Sequence, residues 1–272
     1  MTSLKGLPLK SSYKNHDWVY RTIIVAAKTW FRTGDIEIEL SGTENIPTEG
    51  AALLACNHLS YVDYLMQGLP GVKQGRFTRF MAKKEIFDNK QAGPIMRGCH
   101  HISIDRAAGA DGMAACVDYL KAGEVVGVFS EGTISQSYVI KDVKTGTVRI
   151  AAEAGVPVIP VVVWGTQRMM AKGRKLQPRH HYVAMAVGEP MDVTGEDPVT
   201  ETAELKRRME ALLDPLIRND PNFEQGVAEK AWWLPAAYGG GAPTLEEAAT
   251  AYAEELRQRA ERKAAKAAAA AK

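Results

Sequence analysis

The sequence predicts an α/β protein with a mostly parallel central sheet that is flanked by helices. Three uninterrupted apolar runs, at residues 51–56, 125–129 and 158–163, are typical of strands that are buried on both faces. Segments of helical spacing lie between these runs, as at residues 110–122 and 147–154. Strands that alternate with helices imply parallel neighbours whose helical connections cover both faces of the sheet.

The bulk composition is that of an ordinary globular protein. The chain has 272 residues, of which 46% are hydrophobic and 24% charged, so disordered and fibrous classes are excluded. A net charge of +2 gives no reason to expect a nucleic-acid partner. No apolar run approaches the ~20 residues that span a bilayer, and no secretory signal is present at the N-terminus. These observations predict a protein that is not integral to a membrane.

The three cysteines, Cys56, Cys99 and Cys116, lack the spacing of a metal site, and their odd number argues against a disulfide framework. A reducing compartment fits this usage best. Cys56 is interpreted as a small buried strand residue in preference to a nucleophile. The histidine pairs at residues 100–101 and 180–181 have no partner ligands at suitable spacing, so no metal site is predicted.

The first predicted element is an amphipathic helix over residues 18–31. Basic and acidic positions, including Lys14, Asp17 and Arg21, fall on one narrow stripe, and apolar residues cover most of the remaining circumference. Such a helix can lie in a membrane interface, or it can pack on the domain as an ordinary surface helix. Both interpretations remain open from the residues alone.

The middle of the chain alternates between short strands and helices. Residues 36–40 alternate in polarity, as a half-exposed strand does, and a loop that contains Pro70, Gly71 and Gly75 is expected after a helix over residues 61–68. Helical and irregular structure is expected over residues 83–97. Further strands are predicted at residues 78–82, 102–104 and 182–187.

Beyond residue 198 the pattern changes to helices. Residues 200–217 carry apolar side chains on one face, and three glycines at 239–241 predict a flexible connection. Residues 244–272 are rich in Ala, Glu, Arg and Lys, which predicts a solvated helix that frays into a partly disordered tail. We therefore divide the chain into segments 1–34, 35–198, 199–243 and 244–272.

Residues 57–63, Asn-His-Leu-Ser-Tyr-Val-Asp, follow the first buried strand and carry the candidate chemistry. Five residues of helix rotate two side chains apart by about 140°. His58 is therefore expected on the turn before the helix, with Asp63 in the first helical turn and reaching back. A neutral imidazole can accept a proton from a hydroxyl, and a carboxylate on the other ring nitrogen sets the tautomer. Alternatively, His58 caps the helix and Asp63 is an ordinary first-turn acid.

A second block, residues 129–135 (Phe-Ser-Glu-Gly-Thr-Ile-Ser), favours the catalytic role of His58 over the helix-capping role. With residues 57–63 it resembles the NHxSxxD and FPEGTRS-like signatures of the glycerolipid acyltransferases, the lysophosphatidate acyltransferases and their relatives. Residues 42–47, 82–87, 102–106 and 156–161 resemble four further family segments in the same order. The similarity extends over about residues 36–190, and it implies the family's αβ fold as the catalytic core.

The resemblance implies an acyltransferase that moves a fatty acyl group from a thioester to the hydroxyl of 1-acylglycerol-3-phosphate, forming phosphatidate. His58 would be the general base and Asp63 its orienting carboxylate. Arginine suits a phosphate because its planar fork can bind two oxygens, and Arg106 matches the family's arginine. The remaining substrate-binding candidates implied by the resemblance are Lys83, Glu131, Gly132, Thr133 and Lys144.

The resemblance also implies that residues 14–32 dock on a membrane, at the cytoplasmic face of the cell membrane. No cofactor is expected, because the donor, acyl-coenzyme A or acyl carrier protein, is a co-substrate. Ile134 stands where the family usually has an arginine, so one positive charge for the acceptor phosphate is missing. Either Arg106, Lys144 or Arg149 supplies that charge, or the acceptor has a different head group. The alternatives are glycerol-3-phosphate, another lysophospholipid or a lyso-amino lipid as acceptor, and a non-catalytic lipid-binding protein.

Overall fold

A computed structural model describes residues 17–105 and 111–270. Within them, seven strands form one sheet in the spatial order β1-β7-β6-β2-β5-β3-β4. The strands are β1 Ile36–Ser41, β2 Ala52–Cys56, β3 Thr78–Lys83, β4 Ile102–Ile104, β5 Val125–Phe129, β6 Val158–Trp164 and β7 His181–Val187. All neighbours are parallel except β6 and β7, which are antiparallel. The predicted α/β class with a mostly parallel sheet is confirmed.

Helices cover both faces of the sheet and extend beyond it. They are α1 Trp18–Thr33, α2 Asp63–Lys73, α3 Lys84–Asp88, α4 Ala92–Gly98, α5 Asp111–Lys121, α6 Gly146–Ala154, α7 Thr166–Met170, α8 Pro198–Arg218, α9 Phe223–Ala228 and α10 Leu245–Ala270. Short 3₁₀ turns lie at Thr43–Asn45 and Ala236–Tyr238. Among the residues described, no helix is both long enough and apolar enough to cross a membrane.

The core is centred on β2, β5 and β6. Every residue of β2 and β6 is buried, which is why these segments read as continuous apolar runs in the sequence. Helix α8 packs on β6 through Leu205, Met209 and Leu213, three residues of its apolar stripe. Its first turn is capped by Asp197, whose carboxylate accepts a hydrogen bond from the Thr200 amide at 3.1 Å.

Two predicted details of α2 are wrong. The helix begins at Asp63, not residue 61, and it continues through Pro70 and Gly71 to Lys73, where a loop was expected. Gly71 lies against the next strand, since a Cβ at this position would approach Thr78 Oγ1 to 2.8 Å. Burial of this last turn against β3 therefore overrides the local helix-breaking tendency of proline and glycine.

Helix α1 packs on the domain instead of presenting one charged stripe to solvent. Asp17, predicted on that stripe, is buried and accepts hydrogen bonds from Arg79 at 2.9 and 3.0 Å. Lys14, predicted on the same stripe, lies outside the described residues. Tyr20 and Phe31 face the core, whereas Trp18 remains 70% exposed. The helix thus has one buried face and one exposed face that still carries apolar side chains.

The C-terminal segment is helical, as predicted, but α10 is a single helix up to Ala270 where a frayed tail was expected. Alanine, glutamate, lysine and arginine have high intrinsic helix propensities, so a long helix of this composition is stable without a large buried face. The short helices α7 and α9 were not predicted. Each spans fewer than two turns, too short for helical periodicity to be visible in the sequence.

Candidate active site

The site lies where three parallel strands end at one edge of the sheet. Strand β2 leads into Asn57 and His58, β5 into Ser130 and Glu131, and β6 into the turn before Thr166. The carboxyl ends of adjacent parallel strands meet at the same edge, so segments far apart in sequence become neighbours there. This topology brings the two sequence blocks together.

Asp63 holds His58 in the geometry expected from the sequence. Its Oδ2 accepts hydrogen bonds from His58 Nδ1 at 2.8 Å, from the Leu59 amide at 2.6 Å and from the Ser60 amide at 2.8 Å. Its Oδ1 accepts one from Thr166 Oγ1 at 2.6 Å. The carboxylate is fully buried, and four donors satisfy its two oxygens. With Nδ1 occupied, Nε2 is the ring nitrogen left for a substrate.

Glu131 secures the backbone on either side of the site. Its Oε1 accepts a hydrogen bond from the His58 amide at 3.0 Å, and its Oε2 accepts one from the Lys141 amide at 2.9 Å. Burial raises the pKa of Glu131 to about 7, although these hydrogen bonds and the Lys141 charge act to lower it. The structure therefore places Glu131 behind His58, where it supports the turn.

Asn57 and the aromatic residues limit the motion of the imidazole. The Asn57 side chain exchanges two hydrogen bonds with the Val163 backbone, at 3.0 and 2.8 Å. The His58 ring stacks on Phe129 with centroids 4.0 Å apart, and Tyr64 meets it edge-on at 6.0 Å. The base candidate is therefore confined by hydrogen bonds and by ring contacts.

Cys56 is the strand residue that the sequence predicted. It is fully buried in β2, and burial together with the nearby Asp63 charge raises the pKa of its thiol well above the ordinary value. A protonated, inaccessible thiol cannot act as a nucleophile.

His58 opens into a cleft of about 320 Å³. Three predicted substrate-binding residues, Lys83, Gly132 and Thr133, line it. Gly132 has a φ of +74°, a backbone conformation that residues with a side chain rarely adopt, so this turn favours glycine. The cleft walls also include apolar and aromatic side chains: Tyr61, Tyr64, Met81, Ile86, Ile104, Phe129 and Ile134.

The other candidate residues that the structure describes do not line the cleft. Glu131 and Lys144 are not among the described residues that line the cleft, and Lys144 is exposed. Lys144 is nevertheless close enough to affect the pKa of Lys141, as is Lys172. Arg149 is exposed on α6. Arg106, the first choice for phosphate binding, lies outside the described residues.

The C-terminal helix forms part of the cleft, which corrects the expectation of a solvated tail. Tyr252, Glu255 and Arg259 of α10 line it, and Glu255 is paired with Lys172, which follows α7. This contact could not be predicted, because the Ala-rich composition of α10 suggests no particular partner surface.

An apolar cavity of about 160 Å³ lies beside the cleft between α1, α2 and α4. Tyr64 lines both the cleft and this cavity. Ile23 and Ile95 line the cavity and also an open surface groove that begins at Trp18. The cleft, the cavity and the groove are therefore neighbours, with Tyr64 between the first two and Ile23 and Ile95 between the last two.

Thr166 is the site residue that the sequence analysis missed. It begins α7 directly after β6, the third strand that ends at this edge. The rule that pointed to the ends of β2 and β5 applies equally to β6. A hydroxyl residue two positions after that buried run was therefore an available signal.

Comparison with known proteins places this arrangement among acyl-transferring enzymes. A family model described as Acyltransferase matches residues 37–164. A 1-acyl-sn-glycerol-3-phosphate acyltransferase of Bacillus subtilis is 30% identical over 155 residues, which cover 57% of this chain and 73% of that protein. A chloroplast 1-acyl-sn-glycerol-3-phosphate acyltransferase of Arabidopsis thaliana is 28% identical over 62% of this chain, but only 48% of that protein is covered.

Among solved structures, the chain is similar to the 1-acyl-sn-glycerophosphate (LPA) acyltransferase PlsC from Thermotoga maritima. The TM-score is 0.62 at 25% identity, and the alignment covers 74% of this chain and 80% of that one. Residues 37–164, which match the family model, include both His58 and Asp63.

Proposed function

This chain belongs to the Acyltransferase family, and we propose that it transfers a fatty acyl group from an acyl thioester to the free hydroxyl of 1-acyl-sn-glycerol-3-phosphate. The product would be phosphatidate, an intermediate of phospholipid biosynthesis. The names of the relatives from Bacillus subtilis and Thermotoga maritima support this choice of acceptor.

The observation that carries the proposal is the buried Asp63–His58 pair at the mouth of a largely apolar cleft. In the proposed step, His58 Nε2 takes the proton of the acceptor hydroxyl while its oxygen attacks the thioester carbonyl. Asp63 stabilises the imidazolium that forms. The C–S bond then breaks, and the imidazolium returns the proton to the leaving thiolate, so neither an acyl-enzyme nor a cofactor is needed.

The polar end of the acceptor is assigned to the cationic part of the cleft. Lys83 supplies charge there, Thr133 a hydroxyl, and Gly132 a backbone that a substrate can approach closely. Arg106 and Lys144 remain candidates for additional positive charge; Arg106 lies outside the described residues, and Lys144 is exposed and not among those that line the cleft. Glu131 contributes through the His58 backbone. The acyl chain is assigned to the apolar cavity that Tyr64 shares with the cleft.

The enzyme would act as a peripheral protein on the inner face of the cell membrane. Trp18 and Val25 of α1 are exposed apolar residues, and Ile95 of α4 lines the same groove as Trp18. Aromatic and aliphatic residues of this kind bind at the level of lipid headgroups. A lipid in this groove would lie next to the apolar cavity, which in turn shares Tyr64 with the cleft at His58.

The test is release of free thiol from palmitoyl- and oleoyl-coenzyme A with three acceptors: 1-acylglycerol-3-phosphate, glycerol-3-phosphate and lysophosphatidylglycerol. His58→Ala is expected to lower kcat by about two orders of magnitude or more, because a general base contributes about 10²–10⁴ in rate. The matched control is His180→Ala. His180 also contacts a carboxylate, Asp35 at 3.1 Å, but its side chain is 76% exposed and lies outside the cleft.

The outcomes separate the alternatives. Activity confined to 1-acylglycerol-3-phosphate, with the His180 variant unaffected, supports the proposal. A preference for glycerol-3-phosphate or for the acceptor with a larger head group would instead assign the same chemistry to that acceptor. Absence of thiol release with every acceptor, both from coenzyme A and from acyl carrier protein donors, would favour a non-catalytic lipid-binding protein.

A further inference from the structure

Helix α10 turns one face towards the cleft. One side of the helix carries Tyr252, Glu255 and Arg259, because the second and third of these follow the first by three and seven residues. All three line the space beside His58. Arg257, two positions from Arg259, faces away: it pairs with Glu254 and Glu261, and its side chain is 67% exposed. Both arginines are exposed to solvent, but of the two only Arg259 lines the cleft.

Two contacts keep α10 in this position. Glu255 forms an ion pair with Lys172, whose ammonium group also lies 5.3 Å from the centre of the Tyr252 ring. One turn earlier, Ala248 is buried. Because the Lys172–Glu255 pair joins the helix to the segment after α7, the orientation of Arg259 is linked to the same part of the fold that supplies Thr166 to Asp63.

The charge of the cleft suits an anion. Among the described residues that line it, three are cations (Lys83, Lys172 and Arg259) and one is a carboxylate, Glu255. Lys172 is already paired with that carboxylate. Arg259 also acts on this carboxylate, since its charge helps to lower the pKa of Glu255. Within the described part of the chain it forms no hydrogen bond and no close ion pair, so its guanidinium donors are available to a ligand.

Ile134 lines the same cleft and has an aliphatic side chain that cannot bind an anion. Arg259, near the C-terminal end of the chain, can supply the positive charge that Ile134 does not. A guanidinium is well suited to the task, because its planar fork can donate two parallel hydrogen bonds to phosphate oxygens.

We propose that Arg259 of the C-terminal helix binds a substrate phosphate in the cleft beside His58. This inference rests on the proposed acyl transfer and adds a specificity-determining residue to it. The phosphate has two possible sources, the phosphomonoester of the acceptor and the coenzyme A moiety of the donor. Both present the same chemistry to the arginine, and kinetics with each substrate varied in turn distinguishes them.

The experiment compares Arg259→Gln, Arg259→Lys and Arg257→Gln in the full-length protein, with wild type alongside. For Arg259→Gln we expect KM to rise about tenfold or more for the substrate whose phosphate is bound, with kcat changed less than about twofold. Arg259→Lys should give an intermediate KM, because lysine keeps the charge but loses the fork. Arg257→Gln should match wild type, because Arg257 faces away from the cleft.

A raised KM for 1-acylglycerol-3-phosphate alone assigns Arg259 to the acceptor, and a raised KM for palmitoyl-coenzyme A alone assigns it to the donor. If both values stay within twofold of those of Arg257→Gln, the inference is wrong while the acyltransferase proposal stands. If wild type transfers no acyl group, the proposed function fails instead. Calorimetric binding of 1-acylglycerol-3-phosphate and of coenzyme A, each alone, then tests Arg259 by the same comparison of variants.

Discussion

Replacing Asp63 with asparagine separates the charge of this residue from its role in holding the turn. An asparagine can keep its oxygen towards His58 Nδ1 and the two amides of Leu59 and Ser60, which all donate to Oδ2. Its amide nitrogen then faces Thr166 Oγ1, and a hydroxyl can accept as well as donate. The variant should therefore retain the local geometry and lose only the negative charge.

The cost to catalysis follows from the contact between Asp63 and the imidazolium. Charge-assisted hydrogen bonds exceed neutral ones by about 1–1.5 kcal/mol, which sets the lower limit. Two unit charges separated by the observed 2.8 Å interact by about 6 kcal/mol at an effective dielectric constant of about 20, which sets the upper limit. We expect kcat to fall by about 10²-fold, or about 2.7 kcal/mol, between these limits.

Asp63→Ala is the matching control for stability. It leaves the buried amides of Leu59 and Ser60 without their acceptor, at about 1–3 kcal/mol each, whereas Asp63→Asn should change the free energy of unfolding by no more than about 1–2 kcal/mol. Thiol release gives kcat, and urea denaturation gives stability. If Asp63→Asn were folded and had a kcat within threefold of wild type, charge on this residue would have no part in catalysis.

Three further predictions concern the Thr166 hydroxyl, the buried Glu131 carboxyl and the exposed Trp18 side chain. Thr166→Val removes the only donor, among the described residues, to Asp63 Oδ1, so we expect kcat to fall about tenfold and the free energy of unfolding to fall by about 1–3 kcal/mol. Burial raises the pKa of Glu131 from 4.5 to about 7, so protonation of this residue stabilises the folded state fully below about pH 4.5, and this stabilisation is lost as the pH rises through about 7. Glutamine does not titrate, so in Glu131→Gln the free energy of unfolding, measured with urea, should decline over this pH range by up to about 3 kcal/mol less than in wild type. Trp18→Glu should weaken binding to phosphatidylglycerol vesicles about tenfold in sedimentation assays, because an exposed indole no longer enters the interface.

Each of these has a comparison that can contradict it. Thr166→Ser keeps the hydroxyl, so it should restore most of the activity; equal losses in both variants would argue against the hydrogen bond. An unchanged pH dependence in Glu131→Gln would mean that Glu131 does not titrate in this range. Val199→Glu is the control for membrane binding, since Val199 is also 70% exposed but lies on α8; equal weakening in both variants would exclude specific docking through α1.

The sheet was predictable because its central strands β2, β5 and β6 are short, apolar and almost entirely buried, and β1 alternates in polarity. Residues predicted at 102–104 and 125–129 coincide with β4 and β5, and each of the other strands differs from its predicted range by one position at one end. The contact of His58 with Asp63 was predictable for a related reason. A strand end and the first turn of the following helix are separated by only five residues, so local geometry alone limits their placement.

The rest depends on tertiary packing that local patterns do not encode. Thr166 reaches Asp63 across 103 positions in sequence, and Glu131 reaches the His58 amide across 73. Both contacts require the order of β5, β2 and β6 in the sheet, which an alternation of strands and helices does not specify. The sequence predicts that α10 is a helix, but it does not predict that one face of this helix lines the cleft.

The arrangement of the spaces around His58 explains how one cleft can orient an amphipathic substrate. Tyr64 borders both the cleft and the apolar cavity beside α1, whereas Lys172 and Arg259 line the cleft on the α7 and α10 side. A lipid with an acyl chain and a phosphate can satisfy both regions only with its chain towards Tyr64 and its phosphate towards the cations, because unpaired charge and exposed hydrocarbon each carry a free-energy cost. Its free hydroxyl, which lies between these two ends, is then held beside the imidazole. The polarity of the cleft would therefore orient the substrate so that this hydroxyl meets the base, and the His58–Asp63 pair would then accept its proton.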